Sequence, residues 1–425
     1  MDQLPRVWNP PNPYLTEHRE LLGEPPVAEP EVYEDNSQSI LSRNDSPDLG
    51  FRWSVNPYRG CFHACSYCYA RPTHEYFGLG AGTDFERKII VKPKAPELLR
   101  QAFLRPSWRG EQIVFSGVTD CYQPLEAGWK LTRGCLEVCL KFRNPVAVIT
   151  KSLLIRRDAE LLAALAMKAH ASVSLSIPFL DEKVARVMEP GAPTIHRRFE
   201  TMRILADAGV PVGIGVAPII PGLNDQDIPG LLKEARRCGA QFAFRTLLRL
   251  PGSVKEVFFH RISEQLPLKA ARIEHRIREV RDGKLYDSRF GHRHQGEGTY
   301  WQAVDELWDL WTQRLGFNQD DEPPRPSTFH LPAAPGGKHG GGAAPACPAT
   351  GVAADRQAGR PPLDTVQLEF LWEEGQKRVG ALDDQQYVSH SNRIAPFGSP
   401  EGVLSFPPAR RGIDPTGSAL STAKE

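Results

Sequence analysis

The chain has 425 residues with a formal net charge of +1, 40% hydrophobic and 24% charged, which is enough apolar material for a packed core. No uninterrupted apolar run reaches membrane-spanning length, so no membrane association is expected. The start, MDQLPRVWNPPNPYL, lacks the basic region and apolar stretch of a secretory signal, so a cytoplasmic location is expected, and eight cysteines are too sparse for a disulfide scaffold.

In chain order, residues 1–50 hold three Lys or Arg and ten Asp or Glu, a net of −7. They are rich in Pro, Glu, Asp and Ser with little periodicity, and are read as an extended, mostly disordered arm. Residues 51–318 carry 39 basic and 28 acidic residues, a net of +11. A basic middle makes nucleic acid one candidate partner, although a core of this size can also carry such charge alone. A strand precedes Cys61. KIIVKP (88–93) reads as a strand and APELLRQAFL (95–104) as a helix. EQIVFSGVTD (111–120) is a strand ending in a turn, and LTRGCLEVCLKF (131–142) an amphipathic helix. PVAVITKS (145–152) and ASVSLSIPFLD (171–181) are strands around the helix RRDAELLAALAMKA. The helix 193–209, ended by Gly209, precedes the strand 211–225, the helix 228–239 and the strand 240–250. Helices 255–282 and 299–315 follow and are expected to cover one end.

These strands are short, apolar on both faces and alternate with helices, the pattern of a parallel sheet built from βα units. Six or seven units are counted, short of the eight that close a barrel, so an incomplete, curved barrel is expected. From residue 319 onward the chain is dominated by Pro, Gly and Ala and is read as a largely disordered tail. It contains one apolar island at 366–372.

GCFHACSYCYAR (60–71) spaces Cys61, Cys65 and Cys68 as Cys-x3-Cys-x2-Cys. Three thiolates can hold three irons of a cubane cluster and leave the fourth open for a small chelating molecule. A zinc site using the same thiols with His63 or His74 is the alternative, although the βα repeats are untypical of small zinc modules. His63 itself reads as a solvated loop residue. Cys135 and Cys139, at i and i+4 of a helix, read as part of its apolar face.

The loop resembles the Cys-x3-Cys-x-aromatic-Cys motif of the radical S-adenosylmethionine superfamily, with Tyr67 at the aromatic position. The longer string NPYRGCFHACSYCYAR is similar to the photolyase-like branch related to spore photoproduct lyase. The resemblance covers roughly 51–318. It implies an α/β fold, a partial (β/α)6 barrel with C-terminal helices. It also implies a [4Fe–4S] cluster on Cys61, Cys65 and Cys68, with S-adenosylmethionine on the open iron. A 5′-deoxyadenosyl radical would then abstract a hydrogen atom from the substrate. A further implication is an external electron donor such as ferredoxin or flavodoxin. A monomer is expected.

The same resemblance points to cofactor contacts beside Tyr67. Ser116 and Gly117 stand where the family has a glycine-rich turn, although Gly-Gly-Glu is absent, and Thr119 or Asp120 could supply an oxygen. Cys121 on that loop is the candidate hydrogen-atom donor, with a small buried residue as the other reading. Ser174 and Ser176 project to one face near the ribose position. Lys151, in ITKS, suits a carboxylate or phosphate, or is a solvated charge. In EPGAPTIHRRFE, Glu189 would pair with an arginine or hold the ribose. Arg197 or Arg198 would meet the methionine carboxylate, and only one of them can face inward. Ile219 or Ile220 would lie along the adenine, and Asn224 and Asp225 would cap the next helix. Three substrates or roles stay open: lyase-type repair of a nucleic-acid lesion, chemistry on a small molecule or protein, and a non-catalytic metal-binding protein.

Overall fold

Six short strands rich in Val, Ile and Phe run side by side: β1 (Trp53–Val55), β2 (Ile113–Phe115), β3 (Val146–Thr150), β4 (Ala171–Ser176), β5 (Val212–Ile219) and β6 (Phe242–Leu247). They belong to a computed structural model that describes residues 5–17, 24–319 and 327–332. Every neighbouring pair is parallel and sequential, so the sheet runs β6-β5-β4-β3-β2-β1. Each crossover carries a helix: Ala95–Leu104, Leu131–Phe142, Ala159–Ala169, Ile195–Asp207 and Ile228–Arg237. This is a partial (β/α)6 barrel, two strands short of closure.

The two faces of the sheet differ. Val55, Phe115, Val148, Val173 and Val212 align across five strands and are fully buried beneath the helices. The opposite face mixes small or polar positions, Ser54, Ala147, Ser174 and Gly213, with the apolar Val114 and Ile149. Along β3 burial alternates residue by residue, so this second face lines a partly open lumen. The second face is therefore mixed rather than wholly apolar, with Ser54, Ser174 and Gly213 beside Val114 and Ile149.

The helix Leu131–Phe142 shows why the helices stay in place. Leu131, Cys135, Leu136, Cys139 and Phe142 form one buried stripe, which fits the packing role expected for Cys135 and Cys139. Val254–Gln265 and Pro267–Glu279 follow β6, and Val254–Gln265 packs on Glu182–Met188. Gly298–Leu315 instead flanks the barrel on Ile228–Arg237, burying Trp301 and Trp308. Asn318 satisfies the outer edge of β6 by bonding the Gln241 and Ala243 backbones.

Three sequence expectations change. Lys88–Val91 is a strand outside the barrel sheet, pairing with Tyr58–Arg59 and with Glu31–Glu34. The described part of the acidic arm is ordered: Glu31–Glu34 runs parallel to Lys88–Val91, and Leu41–Arg43 pairs antiparallel with β1. Composition undervalued it because a few apolar residues suffice to anchor it, with Ile40 and Leu41 buried in the core. Of the tail, residues 327–332 dock on the body: Phe329 packs against Phe103 and Phe142, and Ser327 Oγ donates to the Gly110 carbonyl at 2.6 Å. The island 366–372 lies outside the described residues. No helix among the described residues is long and apolar enough to cross a membrane.

Candidate metal centre and active site

The cysteine loop leaves the strand Tyr58–Arg59 and enters the 3-10 turn Arg71–Phe77. Gly60 opens it at φ +75°, where a Cβ would stand 2.9 Å from the His74 ring. Ala64, also at positive φ, bonds the Cys61 carbonyl, and the Cys68 N–H bonds the Cys65 carbonyl. Distant segments hold the loop: Cys61 N–H to Phe85 O, Ser66 N–H to Met188 O, and Gly191 N–H to His63 O. Gly191 approaches so closely that a Cβ would sit 1.9 Å from the Phe62 carbonyl. Arg71, fully buried, donates twice to the Cys65 carbonyl at 3.0 and 2.8 Å and pairs with Glu86 at 2.6 Å.

Cys61, Cys65 and Cys68 are free thiols, the first two buried and the third half-buried. Burial, reinforced by Glu189 and the neighbouring cysteines, pushes Cys65 well up, and burial lifts Cys68 to about 11. Burial also acts against a charged Cys61, but the adjacent His63 outweighs it and lowers that thiol. Cys65 and Cys68 are poor thiolates without a cation, and a bound iron would supply the missing positive charge. Among the described residues no three His, Cys, Asp or Glu side chains converge on a single ion position. A tetrahedral zinc requires that convergence, whereas a cubane takes each thiolate on a separate iron. The donor set fits a cluster.

His63 is buried rather than solvated. Its Nδ1 lies 3.3 Å from Asp120 Oδ2. Burial works against its charge, but Cys61 and Asp120 outweigh that and raise the imidazole to about 10. Asp120 is used internally: Thr150 Oγ1 and the Lys151 N–H donate to it at 2.7 and 2.8 Å. Burial opposes its charge too, yet His63 holds it down at about 2.

A second group faces the lumen. Glu189 is fully buried, with Arg198 Nη2 at 2.5 Å, Lys151 Nζ at 3.2 Å and the Tyr67 hydroxyl donating to it. Burial disfavours its charge, but Arg198 and then Lys151 hold the carboxyl near 2. Lys151 also donates to Ser176 Oγ at 2.5 Å, and Arg198 to the Ser176 carbonyl at 3.1 Å. Thus Tyr67, Lys151, Ser176, Glu189 and Arg198 form one network above the lumen, beside the cysteine loop.

Other expected residues are placed as follows. Arg198 is the inward arginine; Arg197 is exposed, its carbonyl accepting from Arg156 and Thr201. Ser174 shares the lumen face with Ser176, and Ile219 is buried at the end of β5. Ser116 takes a positive φ, and its Oγ accepts the Cys121 N–H. The Gly117 carbonyl accepts from the Tyr69 hydroxyl at 2.6 Å. The Cys121 thiol lies in the main apolar core, bonded to Ser116, and its carbonyl is held by Thr132. Asn224 and Asp225 do not cap the helix. Asn224 closes its own loop through the Ile220 N–H and the Pro178 and Pro218 carbonyls, and Asp225 accepts the Gly222 N–H. Sequence reasoning missed Arg71 and took His63 for a solvated loop residue, although both stand inside the twelve-residue cysteine string.

Residues 55–235 match the model of the radical SAM superfamily. Members use a [4Fe–4S] cluster and S-adenosylmethionine and generally need an external electron donor. An uncharacterised protein of Mycobacterium tuberculosis (strain H37Rv) is 37% identical over 212 residues, 49% of this chain and 62% of its own length. An uncharacterised protein of Methanocaldococcus jannaschii is 30% identical over 176 residues, 41% of this chain and 63% of that one. The chain therefore spans less than two thirds of these relatives. Spore photoproduct lyase complexed with dinucleoside spore photoproduct superposes with a TM-score of 0.49 at 16% identity, covering 67% of this chain and 80% of that one.

Proposed function

We propose that this chain is a radical S-adenosylmethionine enzyme that abstracts a hydrogen atom from a nucleic-acid lesion in a lyase-type repair, working in the cytoplasm with ferredoxin or flavodoxin as electron donor. The observation that carries the enzyme reading is the set of three free cysteine thiols, tied by Arg71 and Gly191 beside a lumen lined with charged and hydroxyl groups. Cys61, Cys65 and Cys68 would each hold one iron. When bound, the cluster and S-adenosylmethionine supply a 5′-deoxyadenosyl radical.

The chain's own side chains would orient the cofactor and keep water out. Arg198 and Lys151 would neutralise a carboxylate, and Ser174 and Ser176 would bond ribose hydroxyls. Tyr67 and Ile219 would offer apolar surfaces to the adenine. The nucleic-acid part rests on the +11 charge of residues 51–318 and on the photolyase-like string around the cysteines.

The decisive experiment incubates anaerobically reconstituted, reduced protein with S-adenosylmethionine and measures 5′-deoxyadenosine. Release is expected, and Cys61→Ala, Cys65→Ala or Cys68→Ala should each abolish both the brown colour and the release. Full iron and sulfide loading without deoxyadenosine would sink the enzyme reading. A binding titration against salt tests the nucleic-acid part, which requires a steep loss of affinity as salt rises.

A further inference from the structure

Two buried polar side chains beside the cysteine loop take no part in the proposed chemistry. His63 and Asp120 expose 3% and 9% of their side-chain surface, and His63 Nδ1 lies 3.3 Å from Asp120 Oδ2. The same imidazole hydrogen-bonds the Cys61 side chain. Asp120 has both oxygens engaged. Its Oδ1 accepts from Thr150 Oγ1 and the Tyr122 N–H at 2.7 and 2.9 Å, and its Oδ2 accepts the Lys151 N–H at 2.8 Å. The flanking residues hold the two loops together. Thr119 Oγ1 and Gln123 Nε2 donate to the Gly60 carbonyl at 2.5 and 3.2 Å, and the Gly191 N–H donates to the His63 carbonyl at 3.0 Å. These bonds fix the ring between Asp120 and Cys61.

A carboxylate and an iron-bound thiolate are both acceptors, so an imidazole buried between them turns an N–H toward each. Hydrogen bonds to the sulfurs are among the factors that set a cluster's reduction potential. A donor on a ligand sulfur stabilises the form that carries one more electron, because that form is the more negative. Losing the donor disfavours reduction, and the Asp120 carboxylate left behind adds to that effect. Asp120 acts only through the ring, in the way that carboxylates orient histidines around metals. A pair that merely tied the two loops together would change how much cluster the chain retains. It would leave the potential of the retained cluster unmoved.

We propose that His63, oriented by Asp120, is a positioning residue that donates a hydrogen bond to the Cys61 sulfur and raises the reduction potential of the bound cluster, bringing it within reach of the electron donor. The inference rests on the reading that Cys61, Cys65 and Cys68 hold a cluster.

Electron paramagnetic resonance of the reduced cluster tests it, on the full chain reconstituted anaerobically with iron and sulfide and without S-adenosylmethionine. With histidine labelled in heavy nitrogen, the parent should show a histidine nitrogen coupled to the cluster spin, and His63→Gln should lose it. In redox titrations His63→Phe should be about tenfold harder to reduce, a shift of about 59 mV to more negative potential for one electron. His63→Gln keeps an N–H donor and should recover most of that shift. The inference is overturned if the labelled parent shows no coupling, if the loaded His63→Phe cluster keeps the parent potential, or if His63→Gln falls as far as His63→Phe. Should His63→Phe take up no cluster, the coupling in the parent decides alone. Deoxyadenosine release by the same parent preparation, once S-adenosylmethionine is added, separates the two ideas. Release with an unmoved potential removes the tuning role alone, and a shifted potential without release removes the enzyme reading. A parent that takes up no cluster removes both.

Discussion

Glu189 is fully buried among Arg198, Lys151 and Tyr67, so its charge is inseparable from theirs. Replacing it by Gln strands a buried guanidinium beside a neutral amide. Glu189→Gln is expected to cost about 3 kcal/mol in urea denaturation, the scale of a broken buried pair. His74 presents the opposite case, a histidine buried neutral, with Nε2 donating to the Lys88 carbonyl at 2.8 Å. Burial drops its pKa from 6.5 to about 4. The unfolded chain therefore takes up a proton first as pH falls. The contribution of His74 is full above about 6.5 and is lost progressively down to about 4, a total of about 3 kcal/mol. Urea midpoints measured across that window should fall in the parent and fall less in His74→Gln. A parallel decline in both would remove His74 as the cause.

The elements owe their positions to contacts that their own sequences only half announce. Leu131–Phe142 was legible because its apolar stripe repeats at helical spacing, and its buried face matches that stripe. Lys88–Val91 was legible as a strand but not as a member of a different sheet, since hydrophobic periodicity does not name a pairing partner. The segment 327–332 was invisible within Pro- and Gly-rich surroundings, although Phe329 lies 5.8 Å from Phe103 and 6.1 Å from Phe142, centroid to centroid. Half-buried and edge-packed, it should matter modestly. Phe329→Ala is expected to lower stability by about 1–2 kcal/mol, read as a shift in urea midpoint with no change in slope. An unchanged midpoint would show that the docked segment adds nothing.

Across the whole molecule, the acidic arm and the basic body are parts of one structure. Glu31–Glu34 completes the small sheet, Leu41–Arg43 covers the free edge of β1, and Asp48 pairs with buried Arg293. Deleting residues 1–50 would uncover two strand edges and leave Arg293 without that carboxylate. The truncated chain is expected to lose at least about 3 kcal/mol and to self-associate, checked by urea denaturation and light scattering. A monomeric truncation of parent stability would contradict this architecture. The sequence alone determined the βα alternation and the three thiols, because each is written in local spacing: strand and helix periods, and intervals within one short loop; the count of six or seven units favoured an unclosed barrel, and the family resemblance implied it. Only the tertiary structure decided that Arg198 rather than Arg197 turns inward and that His63 is buried against Asp120. The same holds for the core position of the Cys121 thiol. Those outcomes depend on which distant segments share space. Desolvation and charge pairing act through space, and residues far apart along the chain carry no local mark of it.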